Sequence, residues 1–348
     1  MDIKKKVIQS PKERFMKTVV YQATEQNIQE CARLLSGGEI VAFPTETVYG
    51  LGGNALMASS IKKIYEAKGR PSDNPLIVHV ASKADIANLV THITPIAQKI
   101  IDELMPGAVT IVLKKNEQVP YEVTGGLNTV AIRIPQNEIA CELIRKSGCP
   151  ICAPSANTST KPSPTSAKHV LFDLNGKNPA ILDGGECAVG VESTVIDCTQ
   201  NQPRLLRAGG MTVEEIENVV GKIVTVTDST VALSPGMKYK HYAPKAETFV
   251  AQAGVDTVAK LIDAYDKAKS SGRNPVIVCL DSTAKKLGNR EVFLVGKNYS
   301  EYAHNLFAIL RKCDDEQKDI VFVEGAMQEL LGRTINNRLY KACGGKFL

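Results

Sequence analysis

The chain has no tryptophan, and only 8 phenylalanines and 10 tyrosines are spread over its 348 residues. No apolar run approaches the ~18–20 residues that a membrane span requires. The opening stretch, MDIKKKVIQSPKERFMK, lacks the apolar core of a secretion signal, so a soluble, cytoplasmic protein is expected. The phosphate signatures G-x-x-x-x-G-K-[ST] and G-x-G-x-x-G are missing. None of the five histidines stands in a metal-ligand spacing such as H-E-x-x-H, and no G-x-S-x-G elbow marks a serine hydrolase. Neither a resident metal cage nor a protein nucleophile is expected.

What is present is an ordinary globular balance, 43% hydrophobic and 23% charged, which excludes a disordered, collagen-like or mucin-like chain. The length suits about two domains of roughly 100–200 residues, each able to bury its own core. Net charge is +5, unevenly placed: six of the 42 basic residues and two of the 37 acids lie at or before Lys17, so that stretch carries +4. The rest carries only +1, which is not the footprint of a general nucleic-acid binder. Residues 1–16 therefore read as a flexible basic leader, within which Met16 offers a second start. The nine cysteines are scattered and odd in number, as expected of reduced thiols. The single C-x-x-C, Cys149 to Cys152, runs into Ala153-Pro154 and has no second pair to complete a zinc site, so structural thiols are expected.

Helical and extended patterns alternate along the chain, which argues α/β. Thr24 caps a helix stopped by Gly37-Gly38, and Glu39–Phe43 reads as a buried strand. A second helix, capped near Ser59, ends at Gly69, and Leu76–Val80 forms the next strand. Ser82-x-x-Asp85 and Thr212-x-x-Glu215 are capping boxes, and Thr94-Pro95 opens a helix running to Gly107. Residues 225–245 show neither period and read as a linker, with Ser234-Pro235-Gly236 and Tyr242-Ala243-Pro244 inside it. Beyond it, strand–helix alternation from Thr248 to Glu324 resembles a small, mostly parallel Rossmann-type sheet. Gly344-Gly345-Lys346 reads as a frayed end.

The chemistry concentrates in loops at strand ends, where α/β folds place ligands. Pro44-Thr45-Glu46-Thr47-Val48-Tyr49-Gly50-Leu51-Gly52 offers two hydroxyls that share a face if extended, and glycines that admit a close backbone approach. Lys68 and Arg70, stiffened by Pro71 and Pro75 and followed by Asn74, form a fork and a point charge suited to a polyphosphate. His79 sits midway along an apolar strand. Arg133 interrupts another, and a buried arginine needs an anion from the fold or from a ligand. Ala153-Pro154-Ser155-Ala156-Asn157, Ser163, Glu192-Ser193-Thr194 and Arg207 supply further hydroxyls and a third arginine.

In this order these motifs, P-T-E-T-V-Y-G-L-G, K-x-R-P-x-x-N-P-L-x-x-H, P-S-A-N, E-S-T-V and R-x-G, resemble the YrdC-type threonylcarbamoyl-AMP synthases. S-P-G-M-K-Y-K-H-Y-A-P, from Ser234 to Pro244, resembles the linker of that family's long, two-domain form. The resemblance spans roughly Lys17 to Pro244. It implies a YrdC-like twisted open mixed sheet with helices over residues 17–224, a linker acting as a lid over 225–245, and a smaller Rossmann-like domain over 246–348. It also implies an enzyme of tRNA modification that condenses L-threonine, bicarbonate or CO2, and ATP with Mg2+ to threonylcarbamoyl-AMP and pyrophosphate. Downstream transfer proteins would then carry the group to tRNA, with this protein's own contact to tRNA indirect or weak. Position by position, Thr47, His79, Arg133, Ala153 and Ser193 resemble the threonine pocket. Lys68, Arg70, Asn74, Thr129, Ser155, Ser163 and Arg207 resemble the ATP site, with Lys68 and Arg70 as the catalytic cations and Tyr242, rather than Tyr239, as the linker contact. Two alternatives stand beside this reading: an RNA-binding module, and carbamoyl-adenylate chemistry with another acceptor.

Overall fold

The computed structural model describes residues 17–226 and 242–348. The basic leader and most of the linker, Tyr239 included, lie outside the described residues.

Among the described residues, eleven strands form one mixed sheet, in the spatial order Val19–Gln22, Ala180–Asp183, Val41–Phe43, Gly50–Asn54, Ile151–Cys152, Ile77–His79, Thr129–Arg133, Val109–Lys114, Thr194–Asp197, Arg204–Arg207 and Val224–Thr225. Four more, in the order Glu247–Ala251, Ile320–Glu324, Pro275–Cys279 and Val292–Leu294, form a second sheet whose pairings are all parallel. Its two central strands, Ile320–Glu324 and Pro275–Cys279, are apolar runs buried along nearly their whole length, as crossover helices on both faces require, while the two edge strands are partly exposed. A large mixed sheet with a smaller, parallel Rossmann-like sheet is thus the observed architecture.

Local signals act where their chemistry is unambiguous. The Thr24 hydroxyl accepts the Asn27 amide at 3.3 Å, and Asp85 and Glu215 close both capping boxes. Three boundaries differ from expectation. Helix Ala58–Lys68 begins after Met57 with no side-chain cap, and it is the neighbouring Ser60 hydroxyl that accepts a backbone amide, from Asn54 at 3.0 Å. Helix Pro95–Leu104 stops before Gly107 because Met105, preceding Pro106, takes extended backbone. The chain end is tied down rather than frayed: Lys346 pairs with Glu247 at 2.7 Å and Phe347 bridges Val250.

The stretch read as a glycine-rich ligand loop runs, from Gly50, into strand Gly50–Asn54. Gly52 is there for packing, since a Cβ would stand 2.7 Å from Ile151 and 2.8 Å from Phe43. Helix Leu330–Cys343 was not anticipated, because buried Thr334, Asn336 and Arg338 interrupt its apolar period.

The two sheets share a seam. Val48 and Val191, in loops between strands of the first, belong to the core of the second, beside Phe307 and Leu310. Gly190, at φ +79°, lies so close to the His304 backbone that a Cβ would approach its carbonyl to 2.3 Å. The Arg311 guanidinium crosses to the buried Asp173 carboxylate at 2.7 Å. Contact this close gives the second sheet a fixed position against the first.

Candidate active site

Strands Ile77–His79 and Thr129–Arg133 run parallel, with His79 beside Arg133. Alternation sends Val130 and Ile132 into the main core and leaves Thr129, Ala131 and Arg133 on the opposite face. On that face Ile77, Val112, Ala131, Val195 and Leu206 make a small apolar floor. At the end marked by His79 and Arg133 a cleft opens, lined by Thr47, Lys68, Arg70, His79, Arg133, Ala153, Ser155, Ser193, Arg207 and Tyr242. Those ten expected site residues come from eight separate stretches of sequence. The free space among them is only about 60 Å³.

One end of the cleft is organised by Arg133. Its Nε donates to the Gly107 carbonyl at 3.1 Å, Nη1 to the Thr47 hydroxyl at 2.8 Å, and Nη2 to the Glu46 carboxylate at 2.5 Å. The anion that a buried arginine demands is therefore supplied by the fold. Thr45 and Thr47 do lie together, with their oxygens 2.8 Å apart. They meet because the Thr45 hydroxyl closes a turn, accepting the amides of Thr47 and Val48, and not because the segment is extended. Ser193 is hydrogen-bonded to Thr110 at 2.8 Å. His79 donates from Nδ1 to the Ile77 carbonyl at 3.1 Å; burial first, and Arg133 second, push it down to about 3, so the ring is neutral.

The other end is cationic. The Lys68 ammonium donates to the carbonyls of Ser155, at 2.5 Å, and Asn157. Carbonyl oxygens solvate an ammonium without neutralising it, and burial, then Arg70, drive Lys68 well below its ordinary range. Arg70 donates to the Pro75 carbonyl at 3.1 Å and is lowered to about 10 by burial. Arg207 donates to the Ser193 carbonyl at 2.8 Å. Among the described residues, Glu192 is the single acid lining the cleft. It is already engaged: one oxygen accepts the Ser163 hydroxyl at 2.5 Å and the other accepts Arg338 Nε at 2.8 Å. Burial alone would raise Glu192, but Arg338, Arg207 and these hydrogen bonds prevail and hold it at about 2.

Such a cleft is cationic at one end and lined by ion-paired and neutral polar groups at the other. A family model described as telomere recombination, covering the Sua5, YciO and YrdC proteins, matches residues 33–209. A second, described as the C-terminal domain of threonylcarbamoyl-AMP synthase, matches 211–344. The threonylcarbamoyl-AMP synthase of Pyrococcus abyssi is 46% identical over 93% of this chain and 96% of its own. That of Bacillus subtilis is 43% identical over 93% and 95%. The chain belongs to the threonylcarbamoyl-AMP synthase family. The crystal structure of Pyrococcus abyssi Sua5 complexed with L-threonine superposes with a TM-score of 0.89, 44% identity, and coverage of 95% of this chain and 98% of that one. Escherichia coli YciO, 20% identical with a TM-score of 0.51 over 56% of this chain and 95% of its own, shares the fold of the larger sheet.

Three residues that the family resemblance assigns to ATP stand outside the cleft lining. Ser163 is completely buried behind it, its hydroxyl spent on Glu192. Asn74 is buried beside Arg70, its carbonyl near the Arg70 guanidinium and its side-chain oxygen unpartnered. Thr129 lies on the same sheet face as Arg133, four residues away, or roughly 13 Å along the strand. There it lines a surface groove with Lys114 and Thr199. The apolar floor separates the two.

Sequence reasoning passed over Glu46 and Arg338. Glu46 stood inside a quoted motif, where a carboxylate between two threonines after a buried strand was signal enough to look for its arginine. Arg338 had no signal, since its role depends on a contact 146 residues distant.

Proposed function

We propose that this protein condenses L-threonine, bicarbonate or CO2, and ATP to threonylcarbamoyl-AMP and pyrophosphate, as the cytoplasmic first step of threonylcarbamoyladenosine formation in tRNA. The observation that carries this reading is a pair of cations, the buried Lys68 and the half-buried Arg70, bonded to backbone carbonyls at one end of a cleft whose other end holds Arg133, Ser193 and a neutral His79. Two cations whose hydrogen bonds, among the described residues, go to backbone carbonyls favour a polyanionic ligand, and a triphosphate supplies one.

In this reading Thr47, His79, Arg133, Ala153 and Ser193 surround the threonine. Arg133 keeps N–H donors beyond those spent on Glu46, Thr47 and Gly107, and these take the amino acid's carboxylate. The amine nitrogen bonds to the carbon of CO2, and a proton leaves the nitrogen. A carbamate oxygen then attacks the α-phosphorus as the bond to pyrophosphate breaks. The carbamate is itself the nucleophile, so the protein contributes alignment and charge. Lys68, Arg70 and Arg207 offset the charge on the phosphates, and Mg2+ arrives with ATP as part of the substrate. Ser155 and Tyr242 flank the phosphates. The base lies over the floor of Ile77, Val112, Ala131, Val195 and Leu206, which carries the nucleotide toward Asn74 and Thr129. The free space in the cleft is far below the several hundred Å³ of a nucleotide pocket, so ATP binding needs its walls to part. Closure afterwards keeps water from a hydrolysable adenylate.

The test is pyrophosphate release by the full chain with MgATP and bicarbonate, with and without L-threonine, coupled to mass spectrometry of the fresh mixture. Release that requires threonine and bicarbonate, with the acyl-adenylate mass, is expected. Release independent of threonine would move the assignment to another acceptor.

A further inference from the structure

Helix Leu330–Cys343 of the second sheet's domain presents Thr334 and Arg338, one turn apart, to the first domain. Thr334 donates its hydroxyl to the Gly209 carbonyl at 2.8 Å, and Arg338 Nη2 donates to the Ala208 carbonyl at 3.0 Å. Arg338 is the largest completely buried side chain among the described residues. Its Nε reaches the Glu192 carboxylate at 2.8 Å. Its guanidinium carbon lies 5.3 Å from the centre of the Tyr242 ring, within cation–π range. The Tyr242 ring stacks on Phe307, also from the second domain, at 5.1 Å and 27°. Tyr242 and Glu192, both lining the cleft, are thus held by side chains that do not line it.

We propose that Arg338 is a positioning residue of the reaction, by which the second domain sets Glu192 and Tyr242 in place at the nucleotide end of the cleft. The proposal rests on the synthase reading above and extends it to the second domain. A buried ion pair is a poor way to glue two domains, since an apolar pair of similar volume does as well or better. What the guanidinium supplies and an apolar side chain cannot is direction. Nε donates to Glu192, Nη1 to the Asn337 side-chain oxygen and Nη2 to the Ala208 carbonyl, with the guanidinium carbon left 5.3 Å from the centre of the tyrosine ring. Glu192 in turn takes the Ser163 hydroxyl at 2.5 Å and precedes Ser193, so its placement reaches both substrate ends. Tyr242 lines the cleft together with Lys68, Arg70 and Arg207, so the larger consequence falls on ATP.

The test uses the full chain with Arg338→Met, which keeps the stem and volume, and Arg338→Lys, which keeps the charge without the planar fork. Wild-type release dependent on threonine and bicarbonate is measured first; its absence would overturn the synthase reading itself. Given that activity, Arg338→Met is expected to lower kcat/KM for ATP at least tenfold while the KM for threonine stays within twofold, with Arg338→Lys intermediate. A merely structural role predicts a lower melting temperature with unchanged kinetics of the folded fraction, and that outcome overturns the proposal. Equal losses for both substrates overturn it as well. Should Arg338→Met not fold, Phe307→Leu removes the other side of the tyrosine seat and must show the same ATP-selective loss; unchanged ATP kinetics in that variant reject the proposal.

Discussion

Arg133 and Glu46 meet at 2.5 Å inside the protein, each about nine-tenths buried or more, so the arginine expected to bind a substrate carboxylate is also half of an internal ion pair. That pairing changes what substitution does. Arg133→Ala removes one partner and leaves a buried carboxylate, which costs about 3–5 kcal/mol. Urea unfolding is expected to show that loss, and the Arg133→Met/Glu46→Gln double variant to recover most of it. Neither variant regains threonine-dependent turnover. Equal stability of single and double variants would show that the pair carries no weight.

Lys68 has the opposite profile. Its ammonium is buried against carbonyls, and burial, then Arg70, outweigh the attraction of Asp173 and depress its proton affinity. Lys68→Met removes that cost with little change of shape. The melting temperature is expected to hold or rise, while pyrophosphate release falls by about 10²–10³, the usual effect of losing one charge-stabilising donor. A site that stores instability for function behaves this way; retained turnover in a stabilised variant contradicts the role.

The pH dependence of stability follows from His79. Folded, it stays neutral down to about 3, whereas the unfolded chain takes up its proton near 6.5. Between those values the unfolded state binds more protons, so stability falls as pH falls, by at most ~1.4 kcal/mol per pH unit from this group. Glu192, held at about 2, adds a loss of the same sign below about 4.5. Unfolding free energies from pH 7.5 to 4.5 are expected to decline more steeply for the wild type than for His79→Asn. Parallel curves would exclude the histidine.

Thr129 gives a graded outcome. One hydroxyl to the nucleotide is worth about 0.5–1.5 kcal/mol, so Thr129→Ala should raise the KM for ATP about two- to tenfold and leave that for threonine unchanged. An unchanged KM for ATP would confine the nucleotide to the cleft itself.

Most of the candidate site was legible because its residues sit in short motifs at strand ends, where residue type and neighbours are local facts. Lys68 and Arg70 followed from a helix end stiffened by two prolines, and Arg133 from its interruption of an apolar run. The register that sets His79 beside Arg133 was not legible, since parallel pairing joins segments more than fifty residues apart. Strand Gly50–Asn54 was masked by its glycines, whose reason is the bulk of Phe43 and Ile151 across the sheet.

By itself the sequence determined the alternation of strands and helices, the caps, the order of the hydroxyl- and arginine-bearing loops, and through them the family. Only the tertiary structure decided which charges meet. Glu46 claims Arg133, Arg338 claims Glu192, and Lys68 is left with carbonyls. The reason is physical: a charge buried in a protein interior is defined by what lies within a few ångströms of it, and those neighbours come from distant parts of the chain.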